Sequence, residues 1–192
     1  FIPENDMLVE YDYDAYHLRL IADLIGYNFP QGSVHKYMSK FYNCDYSEAK
    51  NKSFAYLYGG IPNEIAESIP FFNKVKKFID LKWKEYNERN YIQTYIYNRR
   101  IIFDDSSAVN ANKLFNYLIQ AHETESNIKT INELQQYLCD KNTDLVLYGY
   151  DSFLFDYSEK DGENILLEIK LILENESHLS KMKKGYNYMD MR

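Results

Sequence analysis

Asp12 and Asp151 are the residues of this chain best placed by sequence to hold divalent metal. Asp12 follows the apolar, β-prone run Met7-Leu8-Val9-Glu10-Tyr11 and precedes Leu18, Ile21, Ala22 and Ile25, which recur at helical spacing up to Gly26. It therefore stands at a strand-to-helix junction. Asp151 lies between two short apolar runs, Leu145 to Tyr148 and Phe153 to Phe155, which reads as the turn of a tight hairpin. Carboxylates on rigid strand ends suit a two-metal site, with ions about 3.5–4 Å apart, one activating a hydroxyl and the other clamping leaving phosphates. Taken singly, Asp12 also reads as a helix N-cap and Asp151 as a turn former. A second set, Lys50, Phe54 and Tyr58, has i, i+4, i+8 spacing, so one helix face can present a cation to a triphosphate and a ring to a base. The alternative is a core stripe whose leading Lys snorkels to solvent.

The elements that position these residues follow from periodicity and punctuation. Residues 31–58 read as two helices, the second opening at Asp45 or Ser47 and stopping at Gly59-Gly60-Ile61-Pro62. Pro62 to Asn90 reads as helical with a break at Pro70. The β-branched and aromatic stretch Tyr91 to Phe103, with a polar centre at Asn98-Arg99-Arg100, predicts a hairpin. Helices are expected over Ser106 to Glu125, Ile131 to Cys139 and Leu166 to Glu174, and a tail containing Gly185 closes the chain. No internal repeat or low-complexity linker interrupts this order, so the expected fold is α+β: a small antiparallel sheet with packed helices.

Composition bounds the function more loosely. The 22 Lys+Arg against 29 Asp+Glu give a net charge of −7, which argues against a uniformly basic nucleic-acid-binding surface, though a metal site needs local carboxylates whatever the sum. Twenty Tyr and eleven Phe supply a packed core and rings for stacking. Cys44 and Cys139 lie far apart without a Cys/His cluster, indicating neither zinc nor a disulfide framework and favouring a reducing, cytoplasmic compartment. No apolar run approaches the roughly 20 residues that span a bilayer, and no signal-peptide pattern opens the chain. It enters a strand-like run almost at once, as a piece of a longer protein would.

Several motifs, in order, resemble those of family A DNA polymerases, the DNA polymerase I family. "DYDAYHLR", Asp12 to Arg19, resembles motif A, D-Y-S-Q-I-E-L-R. "KNKSFAYLYGG", Lys50 to Gly60, matches motif B, K-x-x-x-F-x-x-x-Y-G, at Lys50, Phe54, Tyr58 and Gly59. "TYIYNRR", Thr94 to Arg100, resembles the T-x-x-x-x-R-R hairpin, and "FNYLIQ", Phe115 to Gln120, the F-N-x-x-x-Q helix. "YGYDSFLFD" is similar to motif C, V-H-D-E, and the tail "MKKGYNYMDM" to the family's C-terminal end. The collinear order runs across nearly the whole chain.

The resemblance, which looks phage-like, implies palm at 1–30, fingers at 31–90 and palm again at 91–192. It implies Asp12 and Asp151 as ligands of two Mg²⁺, or Mn²⁺, with the Tyr13 carbonyl as a further ligand. Lys50 would neutralise the dNTP triphosphate and protonate the leaving pyrophosphate, Phe54 would stack on the incoming base, and Tyr58 would sit beside the templating base. His17 occupies the place of a Glu that excludes a ribose 2′-hydroxyl, and His35 falls near a phosphate-contacting His, a lone core or surface His being the alternative. Asn116 and Gln120 would approach the primer–template minor groove, and Arg99 and Arg100 would contact DNA. A thumb and any proofreading exonuclease domain would lie upstream, leaving this piece to bind primer–template weakly. Four positions depart from the pattern: His17 for Glu, Tyr46 for the Arg that opens motif B, Tyr150 for His and Ser152 for Glu. The H-D-S form of motif C keeps a single-subunit phage-type RNA polymerase as an alternative, which Leu18-Arg19 and Phe54 disfavour. A decayed, non-catalytic polymerase-like module is the other.

Overall fold

The computed structural model describes residues 1–104, 109–174 and 178–191. They form two compact units, one made of Phe1–Tyr16 with Ser126–Arg192 and the other of His17–Glu125. The class is α+β, as the order of elements implies.

The first unit is built on a four-stranded antiparallel sheet of order β4-β5-β1-β6, where β1 is Met7–Tyr13, β4 Asp144–Gly149, β5 Ser152–Tyr157 and β6 Ser180–Gly185. β1 pairs on both edges, antiparallel to β5 and β6. Alternation along the strands then sorts the side chains. Val9 and Tyr11 stand opposite Phe155 and Phe153, and this face carries the core together with Ile165, Leu166, Ile169 and Leu173 of α7 (Asn164–Glu174). The Tyr11 and Tyr13 hydroxyls donate to the Leu166 and Leu173 carbonyls at 2.7 and 2.8 Å, tying β1 to α7. The opposite set, Glu10 and Asp12, is registered with Lys183 and Lys181 of β6.

The second unit is helical: α1 (Tyr16–Ile25, opening in the first unit), α2 (Val34–Tyr42), α3 (Tyr46–Gly59), α4 (Asn63–Ser68) and α5 (Pro70–Arg89) precede a short hairpin of β2 (Ile92–Gln93) and β3 (Arg100–Ile101). The predicted caps operate: Asp45 Oδ1 accepts from the Glu48 amide at 2.8 Å, Pro70 stands at the first position of α5, and Asn90 closes that helix in the left-handed region. Tyr86, Ile92, Leu114 and Leu118 make a core against which Phe78, Trp83 and Phe103 pack.

Two elements differ from expectation. The two helices expected over 106–125 and 131–139 are one, α6, Ala111–Leu138; Ser106 lies outside the described residues. The polar run Thr124-Glu125-Ser126-Asn127 reads as a break because Ser, Thr and Asn favour caps and turns, yet Glu125 and Asn127 are buried and hydrogen-bonded, which sustains the helix. The expected tail is instead strand β6. Its Ser-Lys-Met-Lys-Lys-Gly sequence has no β signature, and it is extended because β1 offers it a ladder. The unit boundaries, after Tyr16 and after Glu125, fall at the start of α1 and inside α6. Among the described residues no helix is long and apolar enough to cross a membrane.

Candidate active site

The sheet brings the two aspartates together. Asp12 is the penultimate residue of β1 and pairs with Ser152, the first residue of β5, so Asp151 is one residue away across the ladder. The Tyr13 amide donates to the Asp151 carbonyl at 2.8 Å and locks that register at the hairpin turn. Burial, and next the Asp151 charge, push the Asp12 carboxyl above the ordinary aspartate range; Lys183 and Lys181 draw it down, and Glu10 adds to the rise. Lys183 Nζ lies 3.2 Å from Glu10 and 3.9 Å from Asp12, while Lys181 Nζ holds Asp14 at 2.7 Å.

Two like charges held side by side are an unfavourable arrangement that a divalent cation reverses. The donors are hard oxygens, which fit Mg²⁺ or Mn²⁺. No group of three or more His, Cys, Asp or Glu side chains among the described residues forms a metal cluster. An ion here would complete its shell with backbone carbonyl, water or phosphate oxygens, as Mg²⁺ commonly does. Non-glycine residues in the left-handed region stand three positions after Asp12, at Ala15 (φ 56°), and immediately before Asp151, at Tyr150 (φ 54°). Such backbone persists only where its surroundings hold it.

In the helical unit, five of the residues singled out by sequence form one contact chain. The buried stripe of α3 is Ala49, Ser53 and Leu57, so Lys50, Phe54 and Tyr58 lie beside it, the Lys exposed and the two rings half-buried. The Phe54 and Tyr58 rings are parallel at 6.2 Å, and His35 lies 6.0 Å from Phe54. His35 is nearly fully buried and also meets Tyr46 edge-on at 5.5 Å, the environment of a core histidine. Asn116 Nδ2 donates to the Tyr58 carbonyl at 3.3 Å near the end of α3. His17 Nδ1 hydrogen-bonds the Tyr58 hydroxyl, and Nε2 lies 2.9 Å from Glu123 Oε2. Burial, then the Glu123 charge, raise the Tyr58 phenol well above its ordinary range, so it stays protonated.

Gln120, Arg99 and Arg100 are exposed. Arg100 lies over the Tyr91 ring at 4.7 Å. Arg99 Nε donates to Glu125 at 2.6 Å, and the same fully buried carboxylate accepts from the Ile96 and Tyr97 amides, so Glu125 anchors the β2–β3 hairpin. Sequence reading missed Glu123, Glu125, Asn127 and the β6 lysines. The signal for Glu123 and Asn127 was present, since they follow Asn116 by seven and eleven residues, the spacing of one helix face, but a presumed break after Glu125 hid Asn127.

The sequence matches no protein-family model and no curated protein. The POL domain of Pol1 from M. smegmatis, solved in complex with DNA primer-template and dNTP, matches 97% of this chain with a TM-score of 0.75. The fold is similar to that of part of a Pol1 POL domain. Sequence identity to that structure is 16%, and the match spans 41% of its chain. The likeness is one of fold, and it is the fold that the motif order in the sequence implies.

Proposed function

We propose that this chain is the palm and fingers portion of a template-directed DNA polymerase that transfers dNMP to a primer 3′-hydroxyl, with a primer–template duplex and dNTP as its partners. The observation that carries the reading is the adjacency of Asp12 and Asp151 across β1 and β5. Asp12, Asp151 and the Tyr13 carbonyl would hold two Mg²⁺, whose chemistry there would be to activate the 3′-hydroxyl and neutralise charge on the transferred phosphate. Lys50, exposed on α3, pairs with the triphosphate and supplies a proton to the leaving pyrophosphate. The half-buried rings of Phe54 and Tyr58 present faces to bases, and the His17 imidazole excludes a 2′-hydroxyl by bulk. Gln120, Arg99 and Arg100 contact the duplex; Asn116 does so with its second Nδ2 proton, the other being engaged on the Tyr58 carbonyl. Residues 1–30 and 91–192 serve as palm and 31–90 as fingers. Little covalent chemistry falls to the protein; positioning and charge neutralisation supply the acceleration.

The test is single-nucleotide extension by the full-length protein carrying Asp12→Asn or Asp151→Asn, with circular dichroism as the control for folding. Loss of incorporation by at least about 10³-fold is expected, the scale of removing one main electrostatic element. Extension at wild-type rate by either folded variant would end the proposal. Running dNTP and rNTP side by side separates DNA from RNA synthesis.

A further inference from the structure

Asn127 lies in α6, fully buried, and takes no part in the roles described above. Its amide makes three hydrogen bonds inside the sheet unit. Nδ2 donates to the Tyr150 carbonyl at 2.8 Å and meets the Tyr148 hydroxyl at 2.7 Å, and Oδ1 accepts from the Tyr16 hydroxyl at 2.6 Å. A carbonyl can only accept, so Tyr150 fixes which end of the amide is nitrogen. Both Nδ2 protons are then used.

The partners are the two junctions that carry the aspartates. Tyr150 is the left-handed residue immediately before Asp151, and Tyr16 immediately follows Ala15, the left-handed residue after the Asp12 strand. The Tyr16 ring also stacks on Tyr13 at 4.4 Å with an interplanar angle of 23°, and Tyr13 is bonded through its amide to Asp151. One side-chain amide therefore ties down both strained turns, one through its backbone and the other through the next side chain.

We infer that Asn127 is the positioning residue of the Asp12–Asp151 pair, setting the separation and aim of the two carboxylates without touching the metal. The inference rests on the two-metal reading of the pair. A residue that merely stabilised the fold would lower the unfolding midpoint and leave metal affinity unchanged. A positioning residue lowers affinity in protein that is fully folded, because carboxylates freed to move apart lose their joint hold on an ion.

The experiment is Mn²⁺ binding to the 192-residue chain, followed by the loss of the free-ion electron paramagnetic resonance signal, at a temperature where circular dichroism shows each variant folded. Asn127→Leu keeps similar bulk and removes all three bonds; a weakening of about tenfold is expected, the scale of losing an outer-shell partner. Tyr16→Phe removes one hydroxyl and keeps the ring stack, and weakens binding in the same direction by less. Asp151→Asn is the control for the pair itself and should abolish high-affinity binding. Wild-type affinity in folded Asn127→Leu, or in Tyr16→Phe if Asn127→Leu does not fold, overturns the inference while loss in Asp151→Asn leaves the metal reading intact. Wild-type affinity in Asp151→Asn overturns the metal reading, and the inference goes with it.

Discussion

The pairing of His17 with Glu123 predicts an energetic coupling that can be measured. The two groups meet at 2.9 Å with side-chain exposures of 20% and 8%, so neither is bathed in water that would replace the lost partner. Residues in contact within one charged network couple by about 0.5–3 kcal/mol, and the modest exposure of His17 places this pair near the middle, about 2 kcal/mol. The perturbation is a double-mutant cycle of Glu123→Leu and His17→Phe, with Glu123→Gln as an intermediate that keeps an acceptor and loses the charge. Glu123→Gln should retain about half of the coupling, because a neutral hydrogen bond contributes about 1 kcal/mol. Trp83, the single tryptophan, lies in the same compact unit as His17, Tyr58 and Glu123, so its fluorescence during urea unfolding reports the unit that holds all three. A coupling below about 0.5 kcal/mol, within the additivity of unrelated sites, would refute the claim that Glu123 orients the ring. A second readout follows from the proposed function. If Glu123 sets the position of the imidazole that excludes a 2′-hydroxyl, Glu123→Leu in the full-length protein should raise rNTP incorporation relative to dNTP, and an unchanged ratio would confine Glu123 to stability.

Glu125 gives a pH prediction with a definite sign. Burial would raise its carboxyl, but hydrogen bonds from Arg99, Thr94 and the Tyr97 amide outweigh that and hold it below the ordinary glutamate range. Its contribution is therefore fully present above the unfolded glutamate range and is lost as pH falls through the depressed folded value. The Trp83-monitored midpoint should fall between pH 6 and about pH 3, and Glu125→Gln should flatten that fall; an equally steep fall in the variant would contradict the assignment. The paired glycines after Tyr58 should behave oppositely. Gly60 has φ +111° and an added Cβ would meet the Asn112 side chain at 2.7 Å, so Gly60→Ala should destabilise by about 1–3 kcal/mol in the same unfolding assay. Gly59 ends α3 with nothing within 4 Å of an added Cβ, so Gly59→Ala should be neutral or stabilise by about 0.5–1 kcal/mol.

What the sequence disclosed was local. The β1–α1 junction at Asp12, the α3 caps and the turn at Asp151 are each written in a few adjacent residues, through alternation, an Asp N-cap and a hairpin signal. What it concealed depends on pairing at long range. Strand β6 is lysine-rich and extended because β1 leaves an edge to fill, and nothing within its six residues says so. The polar stretch of α6 concealed Asn127 for a related reason. Polar residues at mid-helix positions argue against a helix unless distant partners satisfy them, and the Asn127 partners, Tyr16, Tyr148 and Tyr150, are 21 or more positions away.

The departures from the motif pattern gain meaning from the same long-range contacts. A Glu at position 17 would bring its own charge to the Tyr58 hydroxyl. The imidazole there meets the Tyr58 hydroxyl through Nδ1, and the buried carboxylate of Glu123 stands on its far side, so the charge is displaced by one ring and the bond to Tyr58 is kept. At the second junction, the Ser152 hydroxyl turns back to the Gly149 carbonyl at 3.3 Å, and the Tyr150 side chain is largely exposed while its carbonyl is held by Asn127. Position 150 therefore serves the turn through its backbone, and its side chain is free to vary. Tyr46 packs edge-on against buried His35, so an Arg there would give up a ring contact unless it replaced it by stacking. On this reasoning positions 17 and 123 are coupled. His17→Glu alone would place two carboxylates against each other and destabilise the helical unit, whereas His17→Glu with Glu123→Ala should restore both the Tyr58 bond and stability. If the double variant is no more stable than the single one, the two positions are independent.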